Sequence, residues 1–206
     1  MRARHKKWVL PFLAEHPEIA LPHIDSHSAF FQAEHLYLEI GIGKGDFIVA
    51  MAGKLPGHFL GLERDDNVSG IAARKILESG AENIRIRKGD FDDLASEMAG
   101  LRFELIFLNF SDPWPKKKHG KRRLTYAPRL EKIASFLQEG GQIRIKTDNK
   151  GLYEFTLEQA ALAKLRLLSA TENYEFDGEG DAMSEYERNF RKQGNPIYRL
   201  IYQKQE

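Results

Sequence analysis

Asp112 stands between an apolar run, FELIFLNF, and a turn in which Pro113 and Pro115 flank Trp114, and six Lys or Arg follow within residues 116–123. A carboxylate, an indole and dense positive charge within a dozen residues imply an anionic partner. The prolines fix the backbone, so Asp112 and Trp114 ride on a stiff loop, as a positioning site requires. The plainer alternative is a loop anchored by a packed tryptophan with its charges solvated. The position of the loop at the end of a strand, beside the point where such sheets bind ligands, favours a site. The run KKKHGKRR then supplies phosphate contacts, which give affinity without reading sequence. Gly120 lets the run bend, and Arg2, Arg4, Lys6 and Lys7 add charge to the same surface. Single-stranded or looped RNA is the natural acceptor, because a base must leave its stack to be modified.

A second group of residues reads as a cofactor end. Glu39-Ile-Gly-Ile-Gly-Lys-Gly-Asp46 closes one apolar run and opens a helical one. Gly41, Gly43 and Gly45 let the backbone turn tightly and lie close to a ligand. A dinucleotide fingerprint wants a small residue where Asp46 stands, and an acidic side chain there repels a pyrophosphate. The ligand is therefore expected to be cationic or zwitterionic, and S-adenosylmethionine fits. Glu63 ends the next apolar run, where a carboxylate accepts from both ribose hydroxyls, and Asp90 ends the third, where one can accept from an adenine amine. Each alone reads equally as a helix cap or a solvated charge, but the three recur at successive strand ends.

These groups need a scaffold, and the hydrophobic periodicity supplies one. Strands are expected at HLYLEIGIG, HFLGLERD, NIRIRKGD, FELIFLNF and QIRIKTD, then near 166–174 and 196–203. Helices are expected at 46–54, 67–79 with Gly80 as C-cap, 92–99, 127–138 capped by Gly140-Gly141, 152–165 and 184–193. Alternation at this spacing gives an α/β fold with a doubly wound, mostly parallel seven-stranded sheet, its last strand antiparallel at or near the edge. Residues 1–35 are read as a basic arm with a short helical piece, and 36–206 as a single domain.

The chain has 206 residues, a net charge of +1 and no cysteine, which excludes disulfides, thiolate metal sites and a cysteine nucleophile. No metal is expected. The small net charge conceals local patches: four Lys or Arg in the first eight residues and six in the loop. No apolar run approaches a membrane span and no secretory signal is visible, so a cytoplasmic location without membrane association is expected.

NFSDPWPKKKHGKRRL, with EIGIGKGDF before it and IKTDN and GNPIYRL after it, resembles the bacterial tRNA (guanine-N7)-methyltransferase family. The similarity spans essentially the whole chain. The resemblance implies a Rossmann-like class I methyltransferase, S-adenosylmethionine as cofactor and a guanosine in the variable loop of tRNA as acceptor. Family cofactor positions fall on Glu39, Glu63, Asp90 and Asp112, beside Gly41 and Gly43, with Asp112 also the catalytic residue. Substrate positions fall on Lys116, Asp148, Ser184, Glu185, Tyr186 and Glu187, and RNA contacts on Lys118, His119, Gly120, Lys121, Arg122 and Arg123. Ser184 replaces the threonine common in related sequences and reads equally as a helix N-cap. Trp114 is open to stacking on a base or to packing. A monomer and a homodimer both remain open. The competing readings are an exocyclic-amine RNA methyltransferase and a non-catalytic tRNA-binding protein of the same fold.

Overall fold

The computed structural model describes residues 6–176 and 178–204. Arg2 and Arg4 of the expected arm, and the Lys117 side chain, lie outside the described residues. In chain order the elements are α1 (Val9–Glu15), β1 (Leu36–Ile40), α2 (Asp46–Ala52), β2 (His58–Glu63), α3 (Asp66–Ser79), β3 (Ile84–Lys88), α4 (Phe91–Leu94), β4 (Phe103–Asn109), α5 (Ala127–Ala134), β5 (Leu137–Thr147), α6 (Lys150–Leu162), β6 (Leu165–Thr171), α7 (Glu185–Lys192) and β7 (Tyr198–Lys204). The strands form a seven-stranded mixed sheet in the order β3-β2-β1-β4-β5-β7-β6. The chain divides into two compact units, one running to Leu101 and including Gly178–Tyr186, the other holding the remainder. Among the described residues no helix is long and apolar enough to cross a membrane.

In the first unit β1, β2 and β3 pair in parallel, Leu38 opposite Leu60 and Leu60 opposite Arg85. Every residue of β1 is buried, as a strand covered on both faces must be. Asp65 caps α3 by accepting from the Val68 N–H at 3.0 Å, and left-handed Gly80 ends it as expected. Residues 9–35 are built onto this unit. Val9 is fully buried over Gly70 of α3, Arg74 lies 3.9 Å from the Trp8 ring centre, and the Ile24 N–H donates to Glu97 at 3.0 Å. Glu97 also takes two bonds from Arg87, which hold its carboxyl below the ordinary glutamate range.

In the second unit β4 and β5 are parallel, Asn109 opposite Lys146, while β7 runs antiparallel between β5 and β6. The last strand therefore lies one in from the edge, and β6 is the edge. The helix expected to run to Gln138 ends at Ala134, and Gly140-Gly141 lie inside β5 rather than capping that helix. The register between β4 and β5 slips between Phe103 and Leu105 at this point. A Cβ on Gly141 would stand 3.0 Å from the Phe103 carbonyl, so the glycines serve a bulge where two backbones close in.

One glycine links packing to the turn after β1. A Cβ on Gly61 in β2 would meet Ile42 at 2.7 Å and Ile48 at 3.0 Å, both buried. Ile42 sits between Gly41 and Gly43. We therefore expect Gly61→Ala to cost about 1–3 kcal/mol in chemical denaturation and to displace the glycine turn. Wild-type stability in this variant would refute the packing constraint.

Candidate functional site

Glu39 is 2 % exposed near the end of β1, and its Oε2 makes no hydrogen bond among the described residues. The chain then turns through Gly41 and Gly43, at φ 82° and 55°, and space is open where either Cβ would stand. A left-handed turn with no side chain above it leaves backbone accessible to a ligand. The Gly41 and Ile42 N–H groups bond to the Leu62 carbonyl at 2.8 and 3.1 Å, tying the turn to β2.

Glu63, the last residue of β2, accepts from the Gly43 N–H through Oε2 at 3.0 Å and from the Asp65 N–H through Oε1 at 2.9 Å. Burial pushes its carboxyl above the ordinary glutamate range, and the backbone donors, Arg64 included, offset this only in part. Asp90 stands at the N-cap of the short α4, its Oδ1 accepting from the Asp92 N–H at 3.1 Å. The expected helix-cap role is therefore real for Asp90, and it occupies one of its two oxygens. Asp46 behaves otherwise than expected. Its carboxylate lies 2.6 Å from Lys75 Nζ on α3, so its charge is spent on clamping two helices. Ser184 is half-buried, and Glu185 pairs with Lys44 at 2.7 Å across solvent-exposed side chains. Such a pair contributes little to stability. Tyr186 is 49 % exposed.

In the second unit, β4 ends at Asn109 and the chain leaves through left-handed Phe110, whose N–H donates to the Lys146 carbonyl at 2.8 Å. Asp112 is exposed two residues on, and Trp114 is again left-handed, at φ 41°. Residues Lys117–Arg122 form a 3-10 turn. Gly120 lies within it without the left-handed backbone that a glycine bend would use, near Phe155. Lys116, Lys118, Lys121 and Arg122 are exposed. Trp114 is half-buried, with the His119 ring edge-on at 5.7 Å and the Arg122 guanidinium 5.0 Å above it. Arg123 donates through Nε to the Pro113 carbonyl at 2.9 Å and through Nη2 to the Trp114 carbonyl at 3.1 Å.

Asp148 follows β5 and precedes Asn149, which caps α6 by accepting from the Leu152 N–H at 2.8 Å. Glu187 is fully buried. Its Oε2 is 2.7 Å from Lys146 Nζ, and its Oε1 takes two bonds from Arg191 at 3.0 and 2.8 Å. Arg191 also donates to the Tyr174 carbonyl at 2.8 Å. Lys146 and Arg191 were not among the residues singled out from the sequence. No local signal marked them, since Lys146 falls among the alternating polar residues of QIRIKTD. Within the first unit, then, the fold gathers Glu39, Gly41, Gly43 and Glu63 at one turn. Within the second it places Asp112, Trp114 and the cations on one loop, with Asp148 at the end of β5.

Comparison with known proteins identifies the family and the fold. A family model described as "Putative methyltransferase" matches residues 33–200. Curated relatives named tRNA (guanine-N(7)-)-methyltransferase include one from Limosilactobacillus reuteri, 40% identical over 98% of each chain, and one from Bacillus subtilis, 38% identical over 97% of each. Among solved structures, an rRNA methylase from Streptococcus thermophilus superposes with a TM-score of 0.58 at 16% identity, covering 100% of this chain and 99% of that one. A 30S ribosomal A1408 methyltransferase gives 0.59 at 14% identity, with 85% and 90% covered. The two structures share the class I methyltransferase fold with this chain, whereas the curated relatives share its sequence from end to end. By that full-length similarity the chain belongs to the tRNA (guanine-N7)-methyltransferase family.

Proposed function

We propose that this protein transfers a methyl group from S-adenosylmethionine to N7 of a guanosine in the variable loop of tRNA. Similarity to a curated tRNA (guanine-N(7)-)-methyltransferase at 40% identity over 98% of both chains carries the assignment. The residues present fit the cofactor. S-adenosylmethionine supplies an electrophilic methyl group on a sulfonium. Glu39 offers a buried carboxylate to the ammonium, the open Gly41-Gly43 turn admits close backbone approach, Glu63 accepts from the ribose and Asp90 from the adenine amine.

Guanine N7 carries a lone pair in the neutral base, so no residue need remove a proton before attack. Holding and electrostatics remain. In this assignment Asp112, with Asp148, accepts from the N1 and exocyclic amino edge of the guanine. Its charge also favours the positive charge that develops on the ring. Lys116, Ser184, Glu185 and Tyr186 are assigned to the substrate, whereas Glu187, fully buried with both oxygens on Lys146 and Arg191, takes a structural role in place of the expected substrate contact. The exposed Lys118 and Lys121, with His119, Gly120 and Arg122, are assigned to the RNA backbone. Residues 36–206 act as one methyltransferase domain with 1–35 as its arm, in the cytoplasm, as a monomer or homodimer.

The direct test is transfer of labelled methyl from S-adenosylmethionine to unmodified tRNA, followed by borohydride and aniline cleavage. Scission at one variable-loop guanosine is expected. Label that resists this cleavage would indicate an exocyclic amine instead.

Three further outcomes are expected. Asp112→Ala lowers kcat by a larger factor than it lowers cofactor affinity by titration calorimetry; retained turnover would remove Asp112 from the chemistry. Because burial raises the Glu63 carboxyl, protonation removes its charge and turns one acceptor oxygen into a donor at a pH above the ordinary glutamate range. Cofactor affinity should therefore fall as pH drops into that window, and Glu63→Gln should flatten the profile. Replacing Lys118 and Lys121 with alanine should lower the log-log salt slope of tRNA binding by roughly 0.7 to 0.9 per lost phosphate contact. An unchanged slope would mean those lysines are merely solvated.

A further inference from the structure

The described cations of the loop do not share one environment, and Arg123 is the exception among them. It is half-buried, whereas Lys116, Lys118, Lys121 and Arg122 are exposed. Its Nε and Nη2 bond to two successive carbonyls, Pro113 at 2.9 Å and Trp114 at 3.1 Å. Its guanidinium lies 4.2 Å from the Phe155 ring centre on α6. Its backbone is held too, the N–H donating to the Gly120 carbonyl at 3.1 Å. The Arg122 carbonyl beside it accepts from Arg129 Nη1 at 2.6 Å. The Nε–Nη2 edge, which would grip a phosphate in a fork, is thus already occupied by protein.

We propose that Arg123 is a positioning residue that clasps the Pro113-Trp114 backbone and so holds Asp112, rather than a contact to the RNA phosphates. The inference rests on the assignment of Asp112 given above. The clasp grips the two residues that follow Asp112 directly, and the second is left-handed Trp114 at φ 41°, a conformation that needs outside support in a bulky residue. Two carbonyls in a row with a ring beneath require a planar fork. A lysine at 123 supplies the charge but neither the second bond of the fork nor the flat face. The loop therefore divides its labour: exposed lysines give affinity, and Arg123 gives geometry.

The test compares Arg123→Lys and Arg123→Ala with Lys118→Ala and Lys121→Ala in the full-length protein. Tryptophan emission is read in a Trp8→Phe background, where Trp114 is the remaining tryptophan. Arg123→Lys should lower kcat by about ten- to a hundredfold, shift Trp114 emission without RNA present, and leave the salt slope of tRNA binding within half a unit of wild type. A far-ultraviolet circular dichroism spectrum and a thermal unfolding midpoint equal to wild type show that the variant folds. If Arg123→Lys fails that check, Phe155→Leu, which removes only the ring beneath the guanidinium, should move kcat and emission the same way. Lys118→Ala and Lys121→Ala should change the slope but not the emission. The clasp is overturned if Arg123→Lys and Phe155→Leu keep wild-type kcat and emission. It is equally overturned if Arg123→Ala lowers the slope by a full phosphate contact, roughly 0.7 to 0.9, with kcat unchanged. Absence of methyl transfer by the wild type would overturn the proposed function instead, while the emission still reports on the clasp.

Discussion

The second unit is organised around one buried charge pair. Lys146 and Glu187 are 3 % and 0 % exposed, and taking two such groups out of water is costly unless each is matched in place. Arg191 completes the match, so that both carboxylate oxygens of Glu187 are committed. Removing one partner from such a pair typically costs about 3–5 kcal/mol, because the other charge stays buried alone. Much of the unit is referred to Lys146. Its backbone lies between Asn109 of β4 and Arg199 of β7, its carbonyl receives the Phe110 N–H, and Asp148 follows two residues later. The strand end that carries Asp112 and the one that carries Asp148 therefore share a single anchor.

The first unit treats a buried carboxylate in the opposite way. Glu63 is met by backbone donors, those of Gly43 and Asp65 among them, rather than by a cation among the described residues, so desolvation dominates and its carboxyl is raised. Glu187 is satisfied by paired cations, whereas Glu63 is held by backbone N–H groups at the turn that the proposed function assigns to the cofactor. The contrast separates a carboxylate neutralised by cations of its own fold from one held by backbone N–H groups alone, and burial by itself does not make it.

Most of the architecture is legible in the chain, because its strands are short apolar runs ending in chemistry-bearing residues and its helices begin at caps such as Asp65 and Asn149. The failures have physical causes. Gly140-Gly141 after an amphipathic stretch look like a helix stop, and only the approach of the Phe103 and Glu104 carbonyls shows that they serve a bulge inside β5. Asp46 looks like a ligand-facing charge because Lys75, 29 residues away, is brought to it by packing of α2 on α3. Lys146 reads as an alternating surface residue of QIRIKTD, and nothing local reveals that Glu187 from α7 will neutralise it. Local grammar marks where the chain turns and what it exposes there, while the pairing of buried charges is a property of the fold.

The same limit applies to Asp112. Two non-glycine residues near it, Phe110 and Trp114, are left-handed at φ 52° and 41°, and such conformations cost of order 1–3 kcal/mol each. They persist only where the surroundings fix them from outside the loop. Phe110 is fixed through its N–H on the Lys146 carbonyl, and Trp114 through its carbonyl on Arg123. Prolines at 113 and 115 remove much of the remaining freedom. Asp112 is thus suspended between the buried charge network behind β5 and a cation of the basic loop, and a stiff, exposed carboxylate is the result. A loop that only displayed positive charge would have no use for that strain, which is why the conformation of the turn, more than the count of lysines beside it, supports assigning chemistry to this segment in the proposed function.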